Sequence, residues 1–573
     1  MQCPVLRRAA AIALLSLAAA LPARAADRPR LVILVSIDQF RADYLTRFED
    51  VYLPPSTGRG QVGGFRFLME RGAWHADTHH DHLPLATGPG HAVLLTGAPP
   101  CKSGIVGNDW WDHAKGRAVY CVEDETSTLV GAAGTGRGIS AAPLRVTTLG
   151  DELKTATGGR AKVFGIAVKD RAAVLMAGHL ADGVFWYEDA SGRWITSRAF
   201  SRDGRLPAWL DRVNAASVPD FAFGKAWNPS VPESVLARAW DRDGRHADNP
   251  YGLGTRFPHV IGAGQPAPNG TSRRAFTFTP FANDYVLDTA RQLIAEERLG
   301  QDDVPDILAV SLSSNDYIGH AYGPDSPEVL DCSVRTDRAL SRFLNEAAAL
   351  VPGGWRSLTV VVTADHGVAP NTAAAREAGV SGGTWREEEA VRAVDAALDS
   401  ALGAADWVAG YSEPYLCLNR AALQQKGASA ERAERLAVEA LMRIPGIYSA
   451  YGRSAALAGQ LPQTEVGRLV ARSFHPKVSG DVLVVSSPGF LPRSTEKGAS
   501  HGEPYVYDTR VPLLLAGAGV RPGVFTERAS TLDIAPTLAF LLRIQAPSAS
   551  EGRILGASLS AALPSPATAR QPN

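Results

Sequence analysis

The sequence predicts an α/β fold in which a central, mostly parallel β-sheet is flanked by helices and interrupted by inserted cap regions. Three continuous apolar runs support this prediction, at Leu31 to Ile37, Asp306 to Leu312 and Thr359 to Ala364. Such runs, rich in Val and Ile, are typical of strands buried on both faces of a parallel sheet. A candidate for a long helix, Pro327 to Ala349, lies between the last two runs.

Length and composition indicate a globular protein. The chain has 573 residues, of which 45% are hydrophobic and 20% charged. This length suits two to four domains, or one large α/β domain with insertions. The formal net charge of −1 gives no general basic surface, so we expect no nucleic acid partner and no attraction to an anionic membrane.

The N-terminus has the features of a secretory signal peptide. A basic pair, Arg7-Arg8, precedes the apolar run Ala9 to Leu21, and Ala23-Arg24-Ala25 has the small-x-small form of a cleavage site. The apolar run is too short to favour a membrane-spanning helix. We therefore predict a signal peptide over residues 1–25, cleavage near Ala25, export to the periplasm or the medium, and no stable membrane insertion. An uncleaved anchor is the alternative.

After the signal peptide, the sequence predicts one main domain over residues 26–562 and a disordered Pro/Ala/Ser-rich tail over 563–573. Insertions are expected at about 172–300, where aromatic, Pro and Gly residues replace clear periodicity, and at about 370–500. Further elements are predicted as helices at Ala42 to Phe48, Phe65 to Arg71 and Leu532 to Leu542, and as strands at Lys162 to Val168 and Val511 to Leu515.

The cysteines of the chain allow a disulfide bond in an exported protein. Four cysteines follow the predicted cleavage site, at positions 101, 121, 332 and 417. Four cysteines allow three pairings, and we favour a local Cys101–Cys121 disulfide over free buried thiols.

The His-rich stretch from His75 to His82 lacks a regular metal-binding spacing, so we interpret its histidines as loop residues.

Thr87 lies where a loop is expected to become a helix. The segment from Leu85 to His91 contains two glycines and Pro89, and apolar residues follow it. Proline in a first helical turn fits this interpretation. The free N–H groups and positive dipole of a helix N-terminus favour an oxyanion there. Thr87 is therefore a candidate nucleophile if a metal lowers the pKa of its hydroxyl; the alternative is a simple N-cap.

Lys169 and Arg171 follow the predicted strand that ends at Val168. Two cations separated by one residue can point the same way and bind an anion together. A solvated charged turn is the alternative for this pair.

Candidate metal ligands recur at the carboxyl ends of predicted strands, where open α/β sheets bind their ligands. Carboxylate and imidazole groups together suit zinc and similar divalent ions. Six such groups are enough for two metals with about three protein ligands each, and paired metals stabilise both oxygens of an in-line displacement. The six residues are Asp38, Asp316, His320, Asp365, His366 and His501.

At this level the sequence resembles the alkaline phosphatase superfamily, and most closely the PafA-like bacterial alkaline phosphatases with a threonine nucleophile. These are related to the nucleotide pyrophosphatase/phosphodiesterases. The resemblance implies an alkaline-phosphatase-like sheet fold for the main domain. It rests on motifs that run in family order from about residue 31 to 517: SIDQFRADYL, ATGPGHAVLLTG, GIVGNDWWD, GIAVKDRAAVL, SSNDYIGHAYG, TADHGVAP and HGEPYVYDTRVPL.

The resemblance also implies a role for each matching residue. One zinc ion would be held by Asp316, His320 and His501, and a second by Asp38, Asp365 and His366, with Thr87 as an additional ligand. Thr87 would attack phosphorus and form a phosphothreonine intermediate. Asn108, Lys169 and Arg171 would contact the non-bridging phosphoryl oxygens. The implied enzyme is an exported, monomeric alkaline phosphatase with two Zn²⁺ per chain that acts on small phosphate monoesters.

Two alternatives remain at the sequence level. One is a phosphodiesterase or nucleotide pyrophosphatase of the same superfamily, which shares the metal site and the threonine but resembles the Lys169-Asp170-Arg171 motif less. The other is an inactive phosphate-binding module on the same fold. A sulfatase is disfavoured because Thr87 occupies the position where sulfatases carry the Cys or Ser that becomes formylglycine.

Overall fold

Five adjacent parallel strands form the centre of a ten-stranded sheet. The structure is a computed structural model that describes residues 28–560. The predicted signal peptide and the predicted disordered tail therefore lie outside the described residues. The ten strands of the central sheet are, in chain order, β1 (Leu31–Ile37), β2 (Ala73–His75), β3 (Leu129–Val130), β4 (Val163–Ala167), β5 (Gly183–Glu188), β6 (Arg193–Ser197), β7 (Asp306–Leu312), β8 (Leu358–Thr363), β9 (Leu513–Gly517) and β10 (Gly523–Phe525).

The order across this sheet is β10-β2-β9-β8-β1-β7-β4-β5-β6-β3. Strands β8, β1, β7, β4 and β5 are mutually parallel, whereas β9 pairs antiparallel with β8. The register pairs Ile37 with Leu312 and Ser36 with Thr363. The residues that follow β1, β7 and β8 therefore emerge side by side at one edge of the sheet.

Both faces of the sheet are buried, as the apolar runs predicted. Alternate residues of a strand point to opposite faces. Leu31, Ile33 and Val35 belong to one hydrophobic cluster, while Val32 and Leu34 belong to another. The helices of eight or more residues in the described chain are α1 (Thr87–Thr96), α2 (Leu149–Ala156), α3 (Asp170–Ala177), α4 (Ala208–Ala215), α5 (Gly270–Thr277), α6 (Phe281–Glu296), α7 (Ser314–Tyr322), α8 (Pro327–Leu350), α9 (Glu387–Leu402), α10 (Ala430–Leu441) and α11 (Ile534–Leu542).

Most predicted elements agree with these bounds. The long helix is α8, and its first turn carries Pro327 with Ser326 as a side-chain N-cap. A helix spans Phe65–Arg71, as predicted, and ends at Gly72. The helix predicted at Ala42 to Phe48 is shorter and covers Tyr44–Arg47.

The predicted insertions differ in how they relate to the central sheet. The range 370–500 forms a separate four-stranded sheet, which packs against α9 and α10. The first part of the range 172–300 instead contributes β5 and β6 to the central sheet. The strands of the separate sheet are Val408–Ser412, Tyr415–Leu418, Ile447–Gly452 and Val482–Ser486.

The favoured Cys101–Cys121 disulfide is not formed. Both residues are free thiols, as are the two other cysteines of the described chain. Cys121 is turned inward: its sulfur lies 3.2 Å from the position that a Cβ on Gly88 would occupy. Cys101 lies on a separate helical turn, Pro100–Ser103.

The interpretation of the His-rich stretch as loop is only partly correct. His75 ends β2 and His79 ends a short strand, Thr78–His79, whereas His80 and His82 lie outside strands and helices. His80 and His82 are fully buried because their rings are used in hydrogen bonds: His80 Nε2 donates to the Ala364 carbonyl at 3.0 Å, and His80 Nδ1 lies 3.3 Å from His82 Nε2. Spacing alone could not show that this segment packs beneath β8.

None of the helices in the described part of the chain combines the length and the hydrophobicity that a bilayer-spanning segment needs.

A buried carboxylate joins α8 to the segment around Trp227. Asp331 is fully buried. Its oxygens accept hydrogen bonds from Trp227 Nε1 and Arg335 Nε, both at 2.7 Å, and from the backbone N–H of Ser230 at 2.5 Å. Its removal would leave these donors without an acceptor.

We therefore expect Asp331→Ala to lower the free energy of unfolding by about 3 kcal/mol, since it breaks a buried, hydrogen-bonded ion pair. Asp303→Ala provides a matched control because Asp303 pairs with Arg30 at 2.7 Å while its side chain is 93% exposed. The control should cost at most about 1 kcal/mol. Chemical denaturation of both variants measures the difference, and equal losses would contradict this account of Asp331.

Candidate active site and metal centre

Three carboxylates meet at the sheet edge where β1, β7 and β8 end. Asp38 directly follows β1, Asp365 follows β8 after one residue, and Asp316 lies in the first turn of α7, which begins two residues after β7. All three are buried. Asp316 and His320 are four residues apart in α7, so their side chains share one face of the helix.

One group of possible metal ligands consists of Asp316, His320 and His501. Asp316 Oδ1 lies 3.2 Å from His320 Nε2 and 3.6 Å from His501 Nε2. The other ring nitrogens donate to backbone carbonyls, His320 Nδ1 to Ala499 at 2.8 Å and His501 Nδ1 to Leu85 at 2.6 Å. Because a carbonyl only accepts, each Nδ1 carries a hydrogen, and Nε2, which faces Asp316, is the nitrogen available to a metal ion.

A second group consists of Asp38, Asp316 and His366. His366 Nε2 lies 3.5 Å from Asp38 Oδ1, and its Nδ1 donates to the Gly367 carbonyl at 2.9 Å. The predicted second set contained Asp365 in place of Asp316. Asp365 is adjacent, with Oδ2 3.3 Å from His366 Nε2, but it is not a member of this compact group. Asp316 belongs to both groups.

The chemistry of these groups fits divalent metal ions. Asp38 Oδ1 and His366 Nε2 are buried and make no hydrogen bond, and a buried polar atom without a partner is costly. Burial lowers the pKa of His366 and, less strongly, that of His501, so both rings are neutral near pH 7. Neutral imidazole and carboxylate oxygen are ligands that zinc and related ions prefer.

Thr87 lies at the first position of α1, where the sequence predicted a loop opening into a helix. Its Oγ1 accepts hydrogen bonds from Lys169 Nζ at 3.2 Å and from Arg171 Nη2 at 3.3 Å. Helix α1 lies directly against Asp365, two residues after the end of β8: a Cβ on Gly90 would be 2.2 Å from the Asp365 carbonyl oxygen. Glycine at position 90 is therefore required for this approach.

Lys169 connects Thr87 to the carboxylates. Its Nζ lies 2.7 Å from Asp38 Oδ2 and 2.6 Å from Asp316 Oδ2. Burial alone would favour the neutral amine, but the charges of Asp316 and Asp38 outweigh it and raise the pKa of Lys169. The ammonium form is therefore retained at this buried position.

Asn108 and Arg171 complete the anion-binding side of the site. Asn108 Oδ1 accepts a hydrogen bond from the Gly88 backbone N–H at 2.8 Å, which leaves its side-chain NH₂ group to donate. Arg171 Nη1 donates a hydrogen bond to the Tyr120 hydroxyl at 3.3 Å. All the sequence-predicted site residues thus lie in one continuous region.

Sequence reasoning missed several supporting residues. Gln39 donates from its backbone to Asp365 Oδ1 at 3.1 Å and from Nε2 to Asp316 Oδ1 at 2.8 Å. It adopts a left-handed backbone conformation with φ of 65°, a strained geometry that is concentrated at functional sites. His91 Nδ1 lies 2.9 Å from the Thr87 carbonyl and 3.0 Å from Asp365 Oδ2. The sequence signal that could have identified His91 was its position at the end of the segment Thr87 to His91.

Comparisons with known proteins extend over almost the whole chain. A family model described as type I phosphodiesterase / nucleotide pyrophosphatase matches residues 32–507. Alkaline phosphatase PafA of Elizabethkingia meningoseptica is 32% identical over 533 residues, covering 92% of this chain and 94% of PafA. Alkaline phosphatase PhoV of Synechococcus elongatus is 33% identical over 537 residues, with 92% of each chain covered.

A solved structure agrees with these sequence matches. The crystal structure of wild-type PafA superposes with a TM-score of 0.84 at 30% identity, covering 93% of this chain and 100% of that one. The fold class and the superfamily predicted from the sequence are therefore confirmed. The match to enzymes also argues against an inactive binding module. The chain belongs to the type I phosphodiesterase/nucleotide pyrophosphatase family and is a phosphatase of the alkaline phosphatase superfamily.

Proposed function

We propose that this phosphatase hydrolyses phosphate monoesters, with Thr87 as nucleophile at a two-metal site. One observation carries the proposal: the Thr87 hydroxyl lies at a helix N-terminus, within 3.3 Å of both a lysine and an arginine. Two groups of carboxylate and imidazole ligands lie beside it. A hydroxyl alone is a weak nucleophile, and this combination of cations and ligand groups is what activates one.

In the proposed reaction, Thr87 Oγ attacks phosphorus in line with the ester oxygen. The Oγ–P bond forms, the P–O bond to the leaving group breaks, and the alcohol departs. Water then attacks the phosphothreonine, which releases inorganic phosphate and restores the hydroxyl. Negative charge is spread over the equatorial phosphoryl oxygens during both steps, so positioning and electrostatic stabilisation dominate the catalysis.

The metal ions in this proposal are two Zn²⁺. Asp316, His320 and His501 would hold one, while Asp38, Asp365 and His366 would hold the other, with Thr87 as an additional ligand. When bound, the metals lower the pKa of the Thr87 hydroxyl and of water and neutralise charge on the attacking and leaving oxygens. The unpaired Asp38 Oδ1 and His366 Nε2 atoms support this assignment.

Specificity for monoesters follows from the cationic pair. A monoester dianion has more charge and one more free oxygen than a diester, which carries a second organic group there. Lys169 and Arg171 both approach Thr87 Oγ1, and Asn108 adds a neutral donor. These three donors suit a phosphoryl group with three free oxygens. The alternative, a phosphodiesterase, is kept because the family model carries that description.

We expect Thr87→Ala to lower kcat on p-nitrophenyl phosphate by at least about a thousandfold, because it removes the attacking atom. Metal content, measured on the same sample, should stay close to that of the unaltered protein. Thr96→Ala is a matched control, since Thr96 ends the same helix and its hydroxyl donates to Ala92 at 2.6 Å. Retained turnover in Thr87→Ala would eliminate Thr87 as the nucleophile.

We expect Lys169→Ala and Arg171→Ala each to cost about 2 to 4 kcal/mol of transition-state stabilisation on p-nitrophenyl phosphate. The loss on bis-p-nitrophenyl phosphate should be smaller, because the diester has fewer free oxygens for these cations to bind. The measurement is kcat/KM for both esters. Arg376→Ala is the control, since Arg376 is an exposed arginine that pairs with Glu496. Equal losses on the two esters, or a diester preference of the unaltered enzyme, would favour the phosphodiesterase alternative.

Export is part of the proposal and rests on the N-terminal basic pair, the apolar run and the Ala23-Arg24-Ala25 pattern. The mature protein should then begin near residue 26 and be recovered from the periplasm or the medium. N-terminal sequencing of the purified protein is the test. Recovery of a chain that begins at Met1 would reject cleavage.

A further inference from the structure

We propose that Tyr120 is a positioning residue that holds the Arg171 guanidinium against the nucleophile. The inference rests on the proposed function, because it concerns how the phosphoryl-binding arginine keeps its orientation. Tyr120 is half-buried, and it is the last residue of a short hairpin beside the active site.

The hydroxyl of Tyr120 lies between Arg171 and Asp170. It donates its hydrogen to Asp170 Oδ1 and accepts a hydrogen bond from Arg171 Nη1 at 3.3 Å. Asp170 Oδ1 also accepts the backbone N–H of Arg171 at 2.7 Å. The three groups form a closed arrangement in which the tyrosine oxygen joins the end of the arginine side chain to a carboxylate fixed at the start of α3.

The direction of these hydrogen bonds excludes a direct role for Tyr120 on the substrate. A phosphoryl oxygen can only accept, and the single hydroxyl hydrogen of tyrosine is already donated to Asp170. Tyr120 can therefore act on the phosphoryl group only through Arg171. That makes it a positioning residue, not a catalytic one.

Arg171 retains the donors that this role requires. Nη2 donates to Thr87 Oγ1 at 3.3 Å, and Nε is buried without a hydrogen-bond partner. A guanidinium carries five N–H donors in a rigid plane. Anchoring Nη1 on Tyr120 fixes this plane with Nη2 at Thr87 Oγ1.

The same hairpin also holds Asn108. Its strands are Asp109–Asp112 and Arg117–Tyr120, and the register places Asp109 opposite Tyr120. Directly beyond this pair, the Cys121 backbone N–H donates to the Asn108 carbonyl at 2.9 Å. One hairpin thus positions Asn108 directly and Arg171 through Tyr120, which couples two of the three proposed phosphoryl-binding groups.

The test is a double-mutant cycle of Tyr120→Phe and Arg171→Ala on the metal-loaded, full-length enzyme. The measured quantity is kcat/KM on p-nitrophenyl phosphate, with thermal unfolding as the check on folding. Tyr120→Phe should lower kcat/KM about tenfold in the unaltered protein, because it removes a hydrogen bond to a charged group. In the Arg171→Ala background the same change should have less than about a twofold effect, since the group it positions is absent.

Tyr52→Phe is the matched control. Tyr52 is buried, and its hydroxyl donates at 3.0 Å to the carbonyl of Tyr44, which is not a site residue. The Tyr52→Phe substitution removes the same hydroxyl oxygen from a hydrogen-bonded tyrosine. Because this hydroxyl does not hold Arg171, kcat/KM should be unchanged.

The outcomes separate this inference from the proposed function. An unchanged kcat/KM in Tyr120→Phe, or the same fold-loss in both backgrounds, would overturn the positioning role. If Arg171→Ala itself leaves monoester hydrolysis unaffected, the phosphoryl-binding role of Arg171 fails and the positioning role fails with it. If Arg171→Ala is impaired while Tyr120→Phe is not, only the positioning role is rejected.

Discussion

Burial of three carboxylates at one edge of the sheet is the constraint on which the rest of the site depends. Asp38, Asp316 and Asp365 are removed from water, and like charges at close range repel strongly in such surroundings. Burial raises the pKa of Asp38, and the negative charge of the neighbouring Asp365 raises it further. Their arrangement therefore requires positive charge among them, which Lys169 supplies within the protein and which divalent metals would supply to the enzyme that we propose.

The same carboxylate cluster also positions Thr87, the proposed nucleophile. Helix α1 approaches Asp365 closely enough that only glycine fits at position 90. His91 then links the Thr87 carbonyl, Asp365 and the Ser311 hydroxyl of β7, the last at 2.9 Å. Thr87 consequently lies between the candidate metal-ligand groups on one side and two cations on the other. Mutual support of this kind limits the motion of Thr87, which is what catalysis by positioning would require of the proposed nucleophile.

Features that depend on residues close together in the sequence could be predicted, whereas contacts between distant segments could not. The strands ending at Ile37, Leu312 and Thr363 were recognisable because local apolar runs report burial on both faces. Thr87, Lys169 and Arg171 became candidates because they lie where a strand or loop changes to a helix, and the resemblance of their motifs to a known superfamily then implied their roles. The ends of these strands lie together because parallel neighbouring strands present their carboxyl ends at the same edge of the sheet.

By itself, the sequence determined the α/β architecture through its local apolar patterns and the superfamily through its motifs, and those motifs also named the candidate site residues. Only the tertiary structure decided how those residues are grouped. It placed Asp316 in both candidate ligand groups, turned Asp365 toward Gln39 and His91, left Cys121 unpaired beside Gly88 and buried His80 and His82. These outcomes depend on side-chain direction and on contacts between segments tens to hundreds of residues apart, which spacing along the chain does not encode.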